Sequence, residues 1–334
     1  MRISGAVEPC LFEPRETPQG GAHPPPKQSA GAPQAAANPL SSSVLWRSND
    51  DSAVRGIASL DNRLYVLHIR PNNQLDELDA RDLRLQRRLE VPGDSYHLAD
   101  MAACQRLRRL YISHETSNYV YVLALADGAV WTSWKIDGSP WGLSVTSKTN
   151  NLLVTLRYVN CVDEYSSGGK RLRRVELERS GVFSPWHAVL QPNSQPELLV
   201  VGHGDRGDDS IRVGFVRVLD SGGGATGQRW YTGPPGENPL SRPQHLAIGM
   251  NGTIAVVDVF NDRVVLLDDE LRHVGVLKAS NDDEAAGWRT SRVCWIGWRL
   301  CVAEVQTVQG KFTASRLTVY ELRKTEDNCI CGQD

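Results

Sequence analysis

Short apolar segments alternate with polar turns between residues 242 and 277, and this stretch carries the clearest pattern in the chain. Apolar segments of four to eight residues separated by Asn, Asp and Gly are typical of β-strands joined by hairpin turns. The pattern predicts strands at residues 246–248, 254–257, 263–267 and 273–277. A sheet this small cannot bury both of its faces by itself, so the stretch indicates one unit of a repeat.

The same pattern occurs six times along the chain. The segments typical of a second strand begin at Leu64, Leu110, Leu152, Leu198, Ile254 and Leu300. The predicted first strands lie near Ile57, Leu98, Leu143, Ala188, Leu246 and Val293, so successive copies are 41 to 58 residues apart. A four-stranded propeller blade has a period of roughly 40–50 residues. We therefore predict an all-β fold, a six-bladed β-propeller of four-stranded antiparallel blades closed into a ring.

Composition divides the chain into a propeller and two tails. Residues 1–42 are rich in Pro, Ala and Gly, and we expect them to be disordered. The propeller is expected at residues 43–324, followed by a flexible tail at residues 325–334. The sixth repeat is one strand short, whereas residues 43–48 resemble the fourth strands of other repeats. This N-terminal segment is therefore predicted to complete blade six and close the ring.

The N-terminal residues and the cysteines bear on location. Arg2, Glu8 and Pro9 interrupt the N-terminal segment and no apolar region follows them, so a secretory signal is not expected. No apolar run reaches the roughly 20 residues of a membrane span. The seven cysteines are an odd number scattered over different repeats, which is not typical of a disulfide framework. We expect a cytoplasmic monomer that does not associate with membranes.

The fifth repeat resembles the NHL repeat through residues 257–264, Val-Asp-Val-Phe-Asn-Asp-Arg-Val, which lead into an apolar strand. An Asn also precedes the third strand of the first three repeats, at Asn73, Asn118 and Asn160. The resemblance implies a six-bladed propeller that binds proteins or RNA, often attached to RING and B-box modules. Cys329 and Cys331 have no second pair at zinc spacing, so these modules are not expected here. A minority of six-bladed relatives are enzymes, among them the peptidyl-hydroxyglycine amidating lyases and lactone hydrolases.

One column of residues carries the candidate chemistry. The innermost strand of a blade starts at the mouth of the central channel, so the first residues of six such strands face one another. The aligned positions are Gly56, His97, Gly142, His187, His245 and Arg292, preceded by Arg55, Tyr96, Trp141, Trp186, Gln244 and Ser291. Three imidazoles on one axis have the donor type of a zinc site with one position free for water, similar to the metal site of the amidating lyases. The alternative is that these side chains hydrogen-bond or stack at the rim and hold the blades in register.

Charge and interface composition separate the remaining classes of function. The chain has 37 Lys and Arg against 39 Asp and Glu, a net charge of −2, so no bulk attraction to phosphate is expected and RNA binding ranks last. Aromatic and Arg side chains dominate protein interfaces. The sequence favours a non-enzymatic scaffold without a cofactor, binding a protein or peptide at the mouth through Arg55, Tyr96, Trp141, Trp186 and Arg292. The alternative is a zinc-dependent lyase or hydrolase with metal ligands His97, His187 and His245.

Overall fold

The computed structural model describes residues 42–48, 53–69, 73–93, 97–126, 128–177, 183–192, 194, 197–205, 214–220, 229–234, 236–278, 287–308 and 311–321. Within these ranges the chain forms 24 β-strands and two short 3-10 turns. The strands are arranged as six antiparallel sheets of four strands each. The first strand of every sheet lies against the first strands of its two neighbours, which closes the ring. The predicted six-bladed β-propeller is confirmed.

The strands follow one another from the channel outwards in each blade. Blade one contains β2 (Ala53–Leu60), β3 (Arg63–Ile69), β4 (Gln74–Asp79) and β5 (Leu85–Glu90). Blade two contains β6 (Leu98–Cys104), β7 (Arg109–His114), β8 (Tyr119–Ala124) and β9 (Val130–Lys135). Blade three contains β10 (Pro140–Val145), β11 (Leu152–Leu156), β12 (Cys161–Tyr165) and β13 (Arg171–Glu176).

The second half of the ring repeats this order. Blade four contains β14 (Phe183–Leu190), β15 (Leu198–Asp205), β16 (Phe215–Asp220) and β17 (Arg229–Tyr231). Blade five contains β18 (Pro243–Ile248), β19 (Ile254–Asp258), β20 (Arg263–Leu267) and β21 (His273–Lys278). Blade six contains β22 (Trp288–Ile296), β23 (Arg299–Val308), β24 (Lys311–Glu321) and the N-terminal strand β1 (Ser42–Ser48).

Strand β1 closes the ring as predicted. It pairs antiparallel with β24, from Ser42 opposite Tyr320 to Ser48 opposite Ser315, with a shift of register between Val44 and Trp46. Blade six is therefore built from both ends of the propeller sequence. The predicted disordered and flexible tails lie outside the described residues, apart from Ser42, which belongs to β1.

The core lies between the blades. All five residues of β11 and of β19 are buried, because each of these strands is covered on both faces by a neighbouring sheet. One apolar cluster joins blades four and five, with Val200 and Val218 against Val256 and Val265. Full burial of one Val or Leu side chain contributes about 1.5–3 kcal/mol. The stability of the ring therefore depends on contacts between successive blades.

Each innermost strand has a shift of register near its start. The residues that follow the shift are Gly56, Asp100, Gly142, His187, His245 and Arg292. The sequence alignment of blade two was therefore wrong by three residues, since Asp100 and not His97 occupies this position. At Gly142 a Cβ atom would lie 2.7 Å from the Trp186 carbonyl oxygen, so the close approach of blades three and four requires glycine there.

Two short 3-10 turns complete the description of the fold. The turns Arg157–Val159 and Val259–Asn261 occupy the same position in blades three and five, between the second and third strands. Both lie on the face where the innermost strands begin, which we call the mouth face. Across the described ranges, no helix combines the length and apolar character that crossing a bilayer requires.

Candidate functional site

Four polar side chains from different blades meet at the centre of the ring. They are Asp100 of blade two, His187 of blade four, His245 of blade five and Arg292 of blade six, and all four are buried. The shift of register at the start of each innermost strand places them there. Gly142 of blade three leaves room for the His187 ring, since a Cβ atom at this position would lie 2.8 Å from His187 Cδ2. We call these four residues the central cluster.

Asp100 is the hub of the central cluster. Its Oδ2 accepts a hydrogen bond from the Leu143 backbone N–H at 2.9 Å and lies 3.3 Å from His187 Nε2. Its Oδ1 lies 3.5 Å from His245 Nε2 and 3.3 Å from Arg292 Nε. The Asp100 carboxylate of blade two therefore contacts residues of blades three, four, five and six.

The carboxyl group of Asp100 is ionised at neutral pH. Burial alone would raise its pKa, but the charge of His245, the adjacent imidazole N–H groups and the Arg292 guanidinium together lower the pKa well below its ordinary value. Burial, together with the neighbouring His187, lowers the pKa of His245 to about 4. His245 is therefore a neutral imidazole at neutral pH.

The two imidazoles are held in a defined orientation. Their ring centroids are 4.3 Å apart. His187 Nε2 lies 2.9 Å from the Leu143 carbonyl oxygen, and a carbonyl only accepts hydrogen bonds, so this contact places the proton on Nε2. Within the described part of the chain, Nδ1 of His187 and Nδ1 of His245 are buried and make no hydrogen bond. Within the central cluster, the Asp100 carboxylate thus contacts two buried imidazoles.

Arg292 supplies the positive charge of the central cluster. Its Nη2 donates to the Ala99 carbonyl oxygen at 2.6 Å and its Nη1 donates to the Ser291 carbonyl oxygen at 2.8 Å. Burial lowers the pKa of Arg292, and the Asp100 carboxylate opposes this effect. The guanidinium therefore links blades six and two through backbone and carboxylate contacts.

A second group of side chains lies on the mouth face of blades three to five. The Arg157 guanidinium carbon lies 3.6 Å from the ring centroid of Trp186 and 5.0 Å from that of Trp141. The Arg242 guanidinium carbon lies 5.0 Å from the Trp186 centroid and 4.1 Å from the Phe260 centroid. The two indoles meet edge to face at 5.2 Å. We call these five residues the Trp–Arg cluster.

Solvent-exposed side chains adjoin the Trp–Arg cluster. Tyr158 is 65% exposed and Val159 is 46% exposed, and both belong to the 3-10 turn that begins at buried Arg157. The turn is followed by Asn160 in the left-handed region, with φ 55°. Exposed aromatic and aliphatic side chains backed by a rigid buried layer are the composition expected of a binding surface.

The structure places the predicted contact residues at different depths. Trp141 is partly exposed, whereas Trp186 and Arg292 are each only 3% exposed and support the surface from below. Arg55 is partly buried, with its guanidinium carbon 5.7 Å from the Phe312 centroid. Tyr96 lies outside the described residues. Of the predicted set, the structure brings Trp141 and Trp186 into direct contact.

The predicted zinc ligands are not all brought together. His187 and His245 are adjacent, but His97 is half-exposed, with Nδ1 3.5 Å from Glu115 Oε1 and its ring 6.0 Å from that of His114. Asp100 takes the place that His97 was expected to fill. In five blades, the residue that follows the register shift of the innermost strand pairs with the fourth residue of the apolar segment that predicted the second strand. Asp100, for example, pairs with Ser113, the fourth residue of the segment that begins at Leu110. Counting back from the second strand would have found Asp100 in the sequence.

Sequence reasoning also missed Arg157 and Arg242. Arg157 begins a 3-10 turn, and Arg242 immediately precedes strand β18. From the sequence, an Arg at such a position is expected to be a solvated charge. Only the fold shows that both guanidinium carbons lie within 5.0 Å of the Trp186 ring centroid.

Comparison with known proteins identifies the fold and leaves the family open. No protein-family model and no curated protein matches the chain. A streptogramin B lyase structure is similar over 86% of this chain and 88% of the lyase, with 12% identity and a TM-score of 0.54. Virginiamycin B lyase from Staphylococcus aureus matches over 85% of this chain and 89% of that chain, with 12% identity and a TM-score of 0.53.

A protein complex is also among the similar structures. A chain of the nidogen/laminin complex matches over 69% of this chain and 81% of its own length, with 12% identity and a TM-score of 0.52. These likenesses show the fold alone. Propellers of this shape thus include a lyase and a chain found in a protein–protein complex, and the choice between such functions depends on the residues of the two clusters.

Proposed function

We propose that the chain is a non-enzymatic binding module that holds a protein or peptide segment on the mouth face of blades three to five. The observation that carries this proposal is the exposed pair Tyr158 and Val159, set on a turn whose first residue, Arg157, contacts the indoles of Trp141 and Trp186. Tyr and Trp are enriched among the residues that dominate binding energy at interfaces. Tyr158 would contact the partner, and the Trp–Arg cluster would hold it in place.

Pre-organisation supports this surface as a binding site. A cation lying on an aromatic face contributes about 0.5–2 kcal/mol, depending on how far the pair is removed from water. Arg157 makes two such contacts to Trp186 and Trp141, and Arg242 makes two more to Trp186 and Phe260. A side chain that is already ordered loses less conformational entropy when a partner binds. The turn therefore presents Tyr158 at low entropic cost.

We propose further that the propeller is of the NHL type. In blade five, the residues of the NHL-like motif form one hydrogen-bonded group around a buried carboxylate. Asp258 Oδ2 accepts from Asn261 Nδ2 at 2.7 Å and from Arg263 Nε at 2.9 Å, while its Oδ1 accepts from the Ser241 N–H at 2.8 Å. The motif thus fixes the turn between the second and third strands, on the same face as the Trp–Arg cluster. The nidogen/laminin complex supports a binding role as an example of a similar chain in a protein–protein complex.

Selection from a random peptide display library tests the proposal. The full chain is the target, and the double variant Tyr158→Ser/Val159→Ser is compared with the single variant Leu172→Ser. Leu172 is 49% exposed on the outer strand β13 of the same blade, so it matches the apolar exposure without lying on the mouth face. We expect selected peptides to bind the double variant at least tenfold more weakly and the Leu172 variant unchanged.

Two results would count against the proposal. One is the absence of enriched peptides after selection against folded protein. The other is equal binding of the enriched peptides to the wild-type chain and to the double variant, which would place the binding surface elsewhere. Thermal unfolding of all three proteins checks that the substitutions at exposed positions leave the fold intact.

A metal-dependent lyase or hydrolase at the centre of the ring is the second candidate. It is favoured by the contact between His187 and His245 and by the lyases among the similar structures. In that case Asp100 would replace His97 as the third ligand. RNA binding stays the least favoured, because the net charge of −2 gives no general attraction to phosphate.

A further inference from the structure

We propose that Asp100, His187 and His245 bind one Zn²⁺ ion at the centre of the ring, where the ion ties blades two, four and five together. This inference is independent of the peptide-binding surface. It concerns a site that holds the propeller closed, and it assigns no reaction to the ion.

The spacing of the donor atoms fits a single small ion. The three side chains each offer one ligand atom, and these atoms all lie within 4.8 Å of one another. Nε2 of His187 lies 3.3 Å from Asp100 Oδ2, and Nε2 of His245 lies 3.5 Å from Asp100 Oδ1. Two ligands at about 2.0–2.1 Å from a tetrahedral zinc ion are themselves about 3.4 Å apart. The observed separations are therefore close to those of a zinc ligand set.

The chemistry of the donors also suits zinc. Imidazole nitrogen combined with a carboxylate oxygen is a ligand set that zinc uses widely. A ligand must be free of its proton to bind a metal. At His187 the ion would replace the hydrogen bond from Nε2 to the Leu143 carbonyl oxygen, and the imidazole would keep its single proton on Nδ1.

Unsatisfied polar atoms point to a missing ligand. Asp100 is 1% exposed, and within the described ranges its Oδ1 makes no hydrogen bond despite the nearby nitrogens of His245 and Arg292. A buried polar atom without a hydrogen bond costs about 1–3 kcal/mol. The Leu143 N–H holds the other carboxylate oxygen in place, as the outer partners of metal ligands commonly do. A cation bound beside Asp100 Oδ1 would give this buried oxygen a partner.

Arg292 sets the affinity of the site. Its Nε lies 3.3 Å from Asp100 Oδ1, so the guanidinium and the ion compete for one carboxylate oxygen. Two positive charges in a buried site repel each other strongly. We expect Arg292 to weaken zinc binding, and we expect Arg292→Gln to bind zinc at least tenfold more tightly than the wild-type chain.

Metal analysis of the full chain tests the site. Tag-free protein is stripped with a chelator, reloaded with Zn²⁺ or Co²⁺, dialysed and measured by mass spectrometry. We expect about one zinc per wild-type chain, a visible absorption spectrum in the Co²⁺ form, and a rise in Tm of roughly 5 °C when zinc exceeds its Kd a hundredfold. Asp100→Asn and His245→Asn should lose the ion, the spectrum and the rise in Tm.

The control variant is His97→Asn. His97 is half-exposed beside Glu115 and does not belong to the central cluster, so this variant should bind zinc like the wild-type chain. Equal loss of zinc in His97→Asn would make His97 a ligand of the ion and overturn the proposed ligand set. No retained zinc in folded wild-type protein would overturn it as well. Zinc binding by Arg292→Gln alone would also overturn it, because it would show that Arg292 excludes the ion from the native site.

Discussion

Replacing Asp262 by Asn removes a charge from the mouth face. Asn tolerates the left-handed backbone conformation of this position as Asp does. Asp262 follows the 3-10 turn of blade five with φ 47° and ψ 46°, and Asn160 follows the equivalent turn of blade three with φ 55° and ψ 48°. Asn and Asp tolerate this left-handed region better than other side chains that have a Cβ atom. The reciprocal substitutions D262N and N160D therefore change the charge at two equivalent positions.

The size of the effect follows from the pKa of Asp262. Burial raises this pKa from 3.8 to about 6, against the opposing charge of Arg289 and with a contribution from Asp258. A carboxyl group with a raised pKa holds its proton more tightly in the folded state, so it destabilises the fold increasingly between pH 4 and pH 6. A pKa difference of about two corresponds to about 3 kcal/mol. Screening by solvent at the partly exposed side chain reduces this to about 1–2 kcal/mol.

Urea denaturation followed by tryptophan fluorescence measures the effect. We expect D262N to exceed the wild-type chain in stability by about 1–2 kcal/mol at pH 7 and to equal it at pH 4, with an unchanged dependence on urea concentration. N160D should be less stable than the wild-type chain at pH 7 and should recover as the pH falls. Equal changes at pH 4 and pH 7 in D262N would attribute its effect to packing and refute the reasoning from charge.

Strand β1 and the buried indole of Trp186 should both be required for a stable ring. Deleting residues 1–50 removes the six paired positions between β1 and β24, at a cost of about 3–6 kcal/mol, whereas deleting residues 1–38 should leave the Tm unchanged. Equal melting temperatures for the two truncations would contradict this role of β1. Trp186→Ala should lower the free energy of unfolding by about 3–5 kcal/mol, while Tyr158→Ser should change it by less than about 0.5 kcal/mol. A Trp186 variant as stable as the Tyr158 variant would show that the Trp–Arg cluster does not support the turn.

The sequence predicted the strands because burial in a propeller is regular. A second strand such as Ile254–Asp258 is covered on both faces, so its composition alone identifies it. The closing strand was predictable for a related reason, since the sixth repeat lacked a partner that residues 43–48 could supply. Both features depend on the average polarity of a segment, which the sequence shows directly.

The residues of the two clusters depend on finer geometry. Asp100 reaches the central cluster through a shift of register between Leu98 and Asp100, and such a shift leaves no mark on the apolar pattern. Trp186 was expected at the surface because it starts an innermost strand, yet Arg157 and Arg242 cover its indole. Both residues come from loops distant in sequence from Trp186. Hydropathy cannot show which loops fold over a given strand.

The pairing of β1 with β24 also has a consequence for synthesis on the ribosome. Ser48 pairs with Ser315, so β1 emerges from the ribosome about 270 residues before its partner exists. At roughly 5–20 residues per second, this interval lasts about 15–50 s. During that time five blades can assemble while the N–H and C=O groups of β1 that pair with β24 remain unpaired. The propeller therefore becomes a closed ring only after β24 has been synthesised, and a factor that shields an exposed strand edge would act on this chain before that step.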